Sequence, residues 1–113
     1  SFERLEKQKT QSAIHKIIIT CKGRYTTITT PEGKVFFNMS GNSGLAKGGS
    51  GDVLTGIITS LLAQGYSPES AAVFGVFIHG YSADLLAEKI GKAGILPGDV
   101  IENLPYIFKV FEA

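Results

Sequence analysis

A chain of 113 residues, 43% hydrophobic and 19% charged, holds enough apolar material for one packed core and too much for a disordered tail. Its formal net charge is +1, and Arg4, Lys7 and Lys9 are interleaved with Glu3 and Glu6, so it shows none of the clustered basic charge that nucleic acid or an anionic membrane demands. A single cysteine, Cys21, cannot form an internal disulfide, and no uninterrupted apolar run reaches the roughly 18 residues of a bilayer span, so a soluble cytoplasmic protein is the expectation.

Residues 2–13 contain neither glycine nor proline and are expected to form a helix. The β-branched run "KIIIT", 16–20, suits a strand buried on both faces, with Cys21 beyond it a small buried hydrophobe. Two β-rich segments, 24–30 and 34–38, flank the turn signal "PEG" and predict a hairpin. Five glycines then fall within the eleven residues from Gly41 to Gly51. From 52 to about 64, Val53, Leu54, Ile57, Ile58, Leu61 and Leu62 recur at helical spacing, with Gly65 placed to end the helix. Ser67 before Pro68 opens another helix, apolar nearly all round through "AAVFGVFIHG" and amphipathic to about Ile90. Pro97 and Pro105 are expected to break the tail into two short helical pieces. Strands are few for so many helices, which predicts a chain that is one part of a larger α/β domain.

The glycine-rich segment lacks the spacing of the two familiar phosphate loops. A Walker A loop needs a glycine, four residues and Gly-Lys-Ser/Thr, and neither Gly33-Lys34 nor Gly91-Lys92 has that context. A dinucleotide fingerprint needs Gly-x-Gly-x-x-Gly, whereas Gly49-Ser50-Gly51 runs on into Asp52, Val53 and Leu54. What remains is "GGSG" leading directly into a helix start. Bare amides and about half a positive charge of helix dipole can hold an anion there, and the missing β-carbons let a phosphate approach the backbone. The same residues also describe a tight turn with Asp52 as a favourable first-turn charge. The acid tips the balance: a carboxylate beside an anion cradle repels the anion unless a metal or a reacting hydroxyl lies between them. A base on a hydroxyl and dipoles on the transferred group are what phosphoryl transfer to an alcohol needs.

"GNSGLAKGGSGDVLTGII", with "CKGRYT" upstream and "AAVFGVFIHGYSADLL" downstream, resembles the C-terminal part of the ADP- or ATP-dependent NAD(P)H-hydrate dehydratases, a ribokinase-like family. The resemblance covers nearly the whole chain and implies a three-layer α/β fold, with residues 1–113 forming the C-terminal portion of a single nucleotide-binding domain. It implies the repair of hydrated NADH or NADPH at the expense of a nucleotide phosphate bond, with ADP favoured by the likeness to bacterial members. Lys22, Gly23, Arg24, Tyr25 and Thr26 would wall the nucleotide site. Asn42, Ser43, Gly44, Leu45, Ala46, Lys47, Gly48, Gly49, Ser50 and Gly51 would form the loop around the phosphates, the last four being the anion hole. Asp52 would activate the ring hydroxyl of the hydrate, and Mg²⁺ would accompany the nucleotide. Ser43 and Leu45 stand where Pro or Ala and Met are usual, and the Leu-for-Met exchange nearly conserves volume. The Gly-x-Gly-Asp core alone is shared with sugar and vitamin-precursor kinases of the same superfamily, so a small-molecule kinase is the alternative. A non-catalytic nucleotide-binding fragment is another.

Other polar residues receive structural readings. Lys47 is expected to point to solvent, His15 to be exposed, and His79 to be a hydrogen-bonded core histidine. Asp84, Asp99 and Glu102 fall in helical or cap contexts where solvation explains them. No His, Cys or Asp spacing marks a structural metal. A chain of these elements alone would leave apolar faces uncovered, so a homo-oligomer or association with an N-terminal counterpart is expected.

Overall fold

The "PEG" turn closes as its residues require. Thr30 N donates to Lys34 O and Gly33 N to Thr30 O, while Gly33 takes the positive φ of 92° that the reversal needs. In the computed structural model, which describes residues 2–111, the hairpin joins β2 (Thr26–Thr29) to β3 (Val35–Asn38). The other elements are α1 (Phe2–His15), β1 (Ile19–Cys21), α2 (Ser50–Ala63), α3 (Pro68–Ile90) and α4 (Pro97–Phe111). Single 3-10 turns at Ser43–Leu45 and Lys92–Gly94 punctuate the two longer connections.

The three strands form one antiparallel sheet in the order β1-β2-β3, with Ile19 opposite Thr29 and Thr26 opposite Asn38. β1 is shorter and less buried than its sequence predicts. Lys16, at φ 54°, turns the chain out of α1, and Ile17 donates back to Ser12 O, so pairing starts only at Ile19. Ile17 is 48% exposed, and Cys21 is half-buried rather than buried.

Helix α3 is the axis of the fold. One side packs with α2 and α4 around Ile57, Leu61, Ala71, Ile78 and Ile107; the other, with α2, faces the sheet around Ile28, Leu54, Ala72 and Val76. That two-sided burial explains a helix apolar nearly all round. At 23 residues and a windowed mean hydropathy of 1.3 it is long and apolar enough to cross a bilayer, but half of that window is buried inside the fold, as in a core helix. Gly75 lets α2 come close, since a β-carbon there would lie 2.7 Å from Ile58 Cγ1.

Helix α1 is held to the sheet by buried polar groups. Gln8 Nε2 donates to Ile19 O and Thr27 O, Gln8 Oε1 accepts from Thr27 Oγ1, and Ser12 Oγ meets Thr29 Oγ1 at 2.6 Å. The tail forms one helix rather than the two pieces the prolines predict. Pro97 occupies the first position, where no amide is needed, and Asp99 Oδ2 accepts from Leu96 N. Pro105 lies inside α4, where the buried face of Val100, Asn103 and Ile107 carries the helix across it. Asn103 Nδ2 bonds Ser82 Oγ at 3.2 Å, and Ser82 Oγ donates to Val100 O.

Leu61 is fully buried between α2, α3 and α4, whereas its neighbour Leu62 is 43% exposed. Leu61→Ala should lower unfolding free energy by about 2–5 kcal/mol, and Leu62→Ala by well under half of that, measured by urea denaturation.

Candidate active site

Beyond β3 the chain crosses α3 with almost no gap. A β-carbon on Gly80 would lie 2.6 Å from Ser40 C and 2.8 Å from Gly41 N, so only glycine admits the crossing. Ser40 Oγ is 3.0 Å from Phe77 O and 3.1 Å from Asn38 Oδ1, which holds the strand end against the helix. One turn further along α3, Asp84 accepts from Gly41 N through Oδ2 and from Asn42 Nδ2 through Oδ1, both at 2.9 Å. Asn42 Oδ1 in turn accepts from Gly44 N at 2.8 Å and caps the first 3-10 turn. Gly44 is buried, and a β-carbon there would come within 2.8 Å of Ile95 Cδ1 and Lys92 O. Lys47 Nζ binds Ala93 O and Ile95 O, so it ties the loop to the α3–α4 connection instead of pointing to solvent.

The loop ends at Gly49, whose φ of 94° turns it into α2. Ser50 N is used by Lys47 O, and Val53 is the next residue whose amide finds a backbone acceptor. Among the described residues, the amides of Gly48, Gly49, Gly51 and Asp52 have no acceptor at the positive end of the α2 dipole. Lys22 lies over this helix head: a β-carbon on Gly51 would be 3.2 Å from Lys22 Nζ.

Between the loop and the β1–β2 connection lies a cavity of about 600 Å³, within the size range of small-molecule sites. Residues 22–26 form one wall, and 41–43 with Leu45 and Ala46 form the other. His79, Gly80 and Val76 of α3 contribute to its lining together with Ser50, and Lys92 joins them. The lining contains Lys22, Arg24 and Lys92 and no carboxylate. His79 is buried, with Nε2 3.4 Å from Ser50 Oγ. Burial, and secondarily the charge of Lys22, lower its pKa to about 4, against a smaller opposing effect of the Ser50 contact, so the ring is neutral beneath the cationic cavity.

The structure thus gathers residues 22–26, Asn42, Ser43, Leu45, Ala46 and Ser50 around one cavity. Gly44 supports its wall from behind, while Gly48, Gly49 and Gly51 lie at the α2 head. Asp52 stands apart. It is exposed, has no hydrogen-bond or ion-pair partner among the described residues, and faces a separate apolar groove with Val53, Ile57, Ile101, Leu104 and Phe108. Asp84 is half-buried and bonded to the loop, not merely solvated on its helix; nothing in sequence spacing links it to Gly41. Among the described residues no three His, Cys, Asp or Glu side chains cluster as metal ligands.

A profile described as NAD(P)H-hydrate dehydratase matches residues 2–106. The chain belongs to the NAD(P)H-hydrate dehydratase family. It is 39% identical over 110 residues to the bifunctional NAD(P)H-hydrate repair enzyme of Moorella thermoacetica, covering 97% of this chain and 21% of that protein. The crystal structure of ADP/ATP-dependent NAD(P)H-hydrate dehydratase from Bacillus subtilis, co-crystallised with ATP and Mg²⁺, superposes with a TM-score of 0.90 at 36% identity, covering 96% of this chain and 39% of that one. A ribokinase-like superfamily protein from Enterococcus faecalis gives 0.81 at 34% identity, covering 95% and 37%. The fold is therefore ribokinase-like α/β. The chain spans only 17 to 40% of the length of the first four curated relatives it matches.

Two tests follow for this dehydratase-family site. Alanine is a better helix former than glycine by about 1 kcal/mol, yet Gly80→Ala should destabilise by about 1–3 kcal/mol because its methyl strikes the Ser40–Gly41 backbone. Denaturation, with amide shifts of Ser40 and Gly41, reads both effects. For His79, the unfolded ring takes a proton near 6.5 and the folded ring near 4, so the stabilising difference is complete above pH 6.5 and is lost as pH falls toward 4. Across that window the wild type should lose more stability than His79→Gln.

Proposed function

We propose that this chain supplies the nucleotide-binding half of an ADP- or ATP-dependent NAD(P)H-hydrate dehydratase. The observation that carries the reading is the cationic cavity without a carboxylate, opening beside the unpaired amides at the head of α2. Lys22 and the helix dipole act on the same anion, and the glycines let phosphate oxygens reach the backbone. Residues 22–26 face the adenosine portion, and the loop from Asn42 to Gly51 surrounds the phosphates. The nucleotide is a co-substrate. With no cluster of protein ligands among the described residues, a Mg²⁺ ion would be held chiefly by phosphate oxygens and would neutralise their charge.

Asp52 follows the open amides directly and faces the groove beside the helix head. As a base it takes the proton of the hydrate's ring hydroxyl, and the oxygen attacks the terminal phosphorus as the bond to the nucleotide breaks. Phosphate is a better leaving group than hydroxide. Loss of the C–O bond and of a neighbouring ring proton then restores the dihydropyridine.

The remaining half of the domain would lie N-terminal to residue 1. Among the described residues the outer edge of β1 has no partner strand, and Phe37 of β3 and Met39 at its exit are 59% and 65% exposed, as expected of surfaces covered by further chain or a second copy. A reducing cytoplasm suits the unpaired Cys21.

Adding ADP or ATP to hydrated NADH should restore dihydronicotinamide absorbance when this chain is joined to its N-terminal counterpart. Asp52→Asn should cut that turnover by at least about a hundredfold and leave nucleotide affinity within a few-fold. Undiminished turnover would overturn the role of Asp52. Phosphorylation of a sugar or vitamin precursor without cofactor repair would favour a kinase.

A further inference from the structure

Asp84 spends both carboxylate oxygens on the root of the glycine loop: Oδ2 on Gly41 N and Oδ1 on Asn42 Nδ2. Among the described residues it has no basic partner, and it does not line the cavity. Its charge is therefore neither part of a salt bridge nor aimed at the ligand. The acceptor pair fixes the orientation of the Asn42 amide, because Nδ2 must face the carboxylate and Oδ1 is thereby turned to Gly44 N. Gly44 is packed against Ile95 and Lys92 O, so one carboxylate sets the path of the first limb of the loop.

We propose that Asp84 is a positioning residue for nucleotide binding: through Asn42 it pre-forms the loop wall without touching the ligand. The inference rests on the nucleotide reading of the cavity. A charged acceptor suits the role because hydrogen bonds to an ion are stronger than neutral ones, and backbone held in place beforehand need not be ordered when a ligand arrives.

The chemistry dictates a reciprocal test. In Asp84→Asn one acceptor is lost, and an NH₂ opposes the NH₂ of Asn42. In Asn42→Asp two carboxylates face each other. When both substitutions are combined, the amide introduced at position 84 can accept from Gly41 N and donate to the carboxylate introduced at position 42, which still accepts from Gly44 N. Calorimetric titration with ADP should show each single variant weakened by about tenfold or more, and the double variant recovered to within about threefold of wild type. Amide exchange at Gly41 and Gly44 should quicken in Asp84→Asn and slow again in the double variant. Wild-type affinity in Asp84→Asn, or a double variant no better than the weaker single, would overturn the proposal. Should the wild type bind no ADP, the nucleotide reading falls, and with it the binding role. The latch itself is then decided by exchange alone: unchanged protection of Gly41 and Gly44 in Asp84→Asn would show that it does not hold the loop.

Discussion

The crossing of the Ser40–Gly41 backbone over Gly80 is the contact on which the site depends. Two backbones meet there at a separation that leaves no room for a methyl group, and Asp84 engages the loop one turn beyond. Once the chain is pinned at that point, the residues that follow have little freedom. Asn42 caps a short turn, Gly44 packs beneath Ile95, Lys47 is tied to the α3–α4 connection, and the chain enters α2 through Gly49. A loop with five glycines would be costly to order by itself. Here the cost is offset by contacts that a bulkier chain could not make.

The same crossing sorts the charges. Lys22, Arg24 and Lys92 fall on the cavity side, while Asp84 and Asp52 fall outside its lining on opposite flanks of the loop. His79 lies beneath, neutral because burial and Lys22 both disfavour its protonated form. A protonated ring at that depth would add a cation to a site already rich in them, at a desolvation cost nothing nearby repays. Neutral imidazole keeps its contact to Ser50, which sits at the first turn of α2 between the loop and the core. The electrostatics of the cavity and the packing beneath it thus agree.

How much of this is legible in sequence follows from how local each determinant is. The hairpin is announced by "PEG", α2 by the spacing from Val53 to Leu62 with Gly65 at φ 97° beyond its end, and α3 by Ser67 and Pro68, whose cap accepts from Ser70 N. These are contacts within a few residues. The sequence overstates β1 because its β-branched run does not reveal that Lys16 turns the chain. It overstates the break at Pro105 because the compensating face, Asn103 against Ser82, joins residues 21 apart. The roles of Lys47 and Asp84 escape it for the same reason, their partners lying 42 to 48 residues away. Local chemistry locates the loop; only the tertiary crossing says what holds it.

The contacts around the cavity and those that support its loop come from elements far apart in sequence. The β1–β2 connection, residues 38–40 at the exit of β3, the glycine loop, α3 and Lys92 all line the cavity. The supports of the loop are Asp84, Lys47 and Gly80. Among the described residues the outer edge of β1 has no partner strand, Phe37 of β3 is exposed, and Asp52 stands at an apolar groove separate from the cavity. Under the proposed function, the supports of the glycine loop act on nucleotide affinity, while Asp52 acts on turnover.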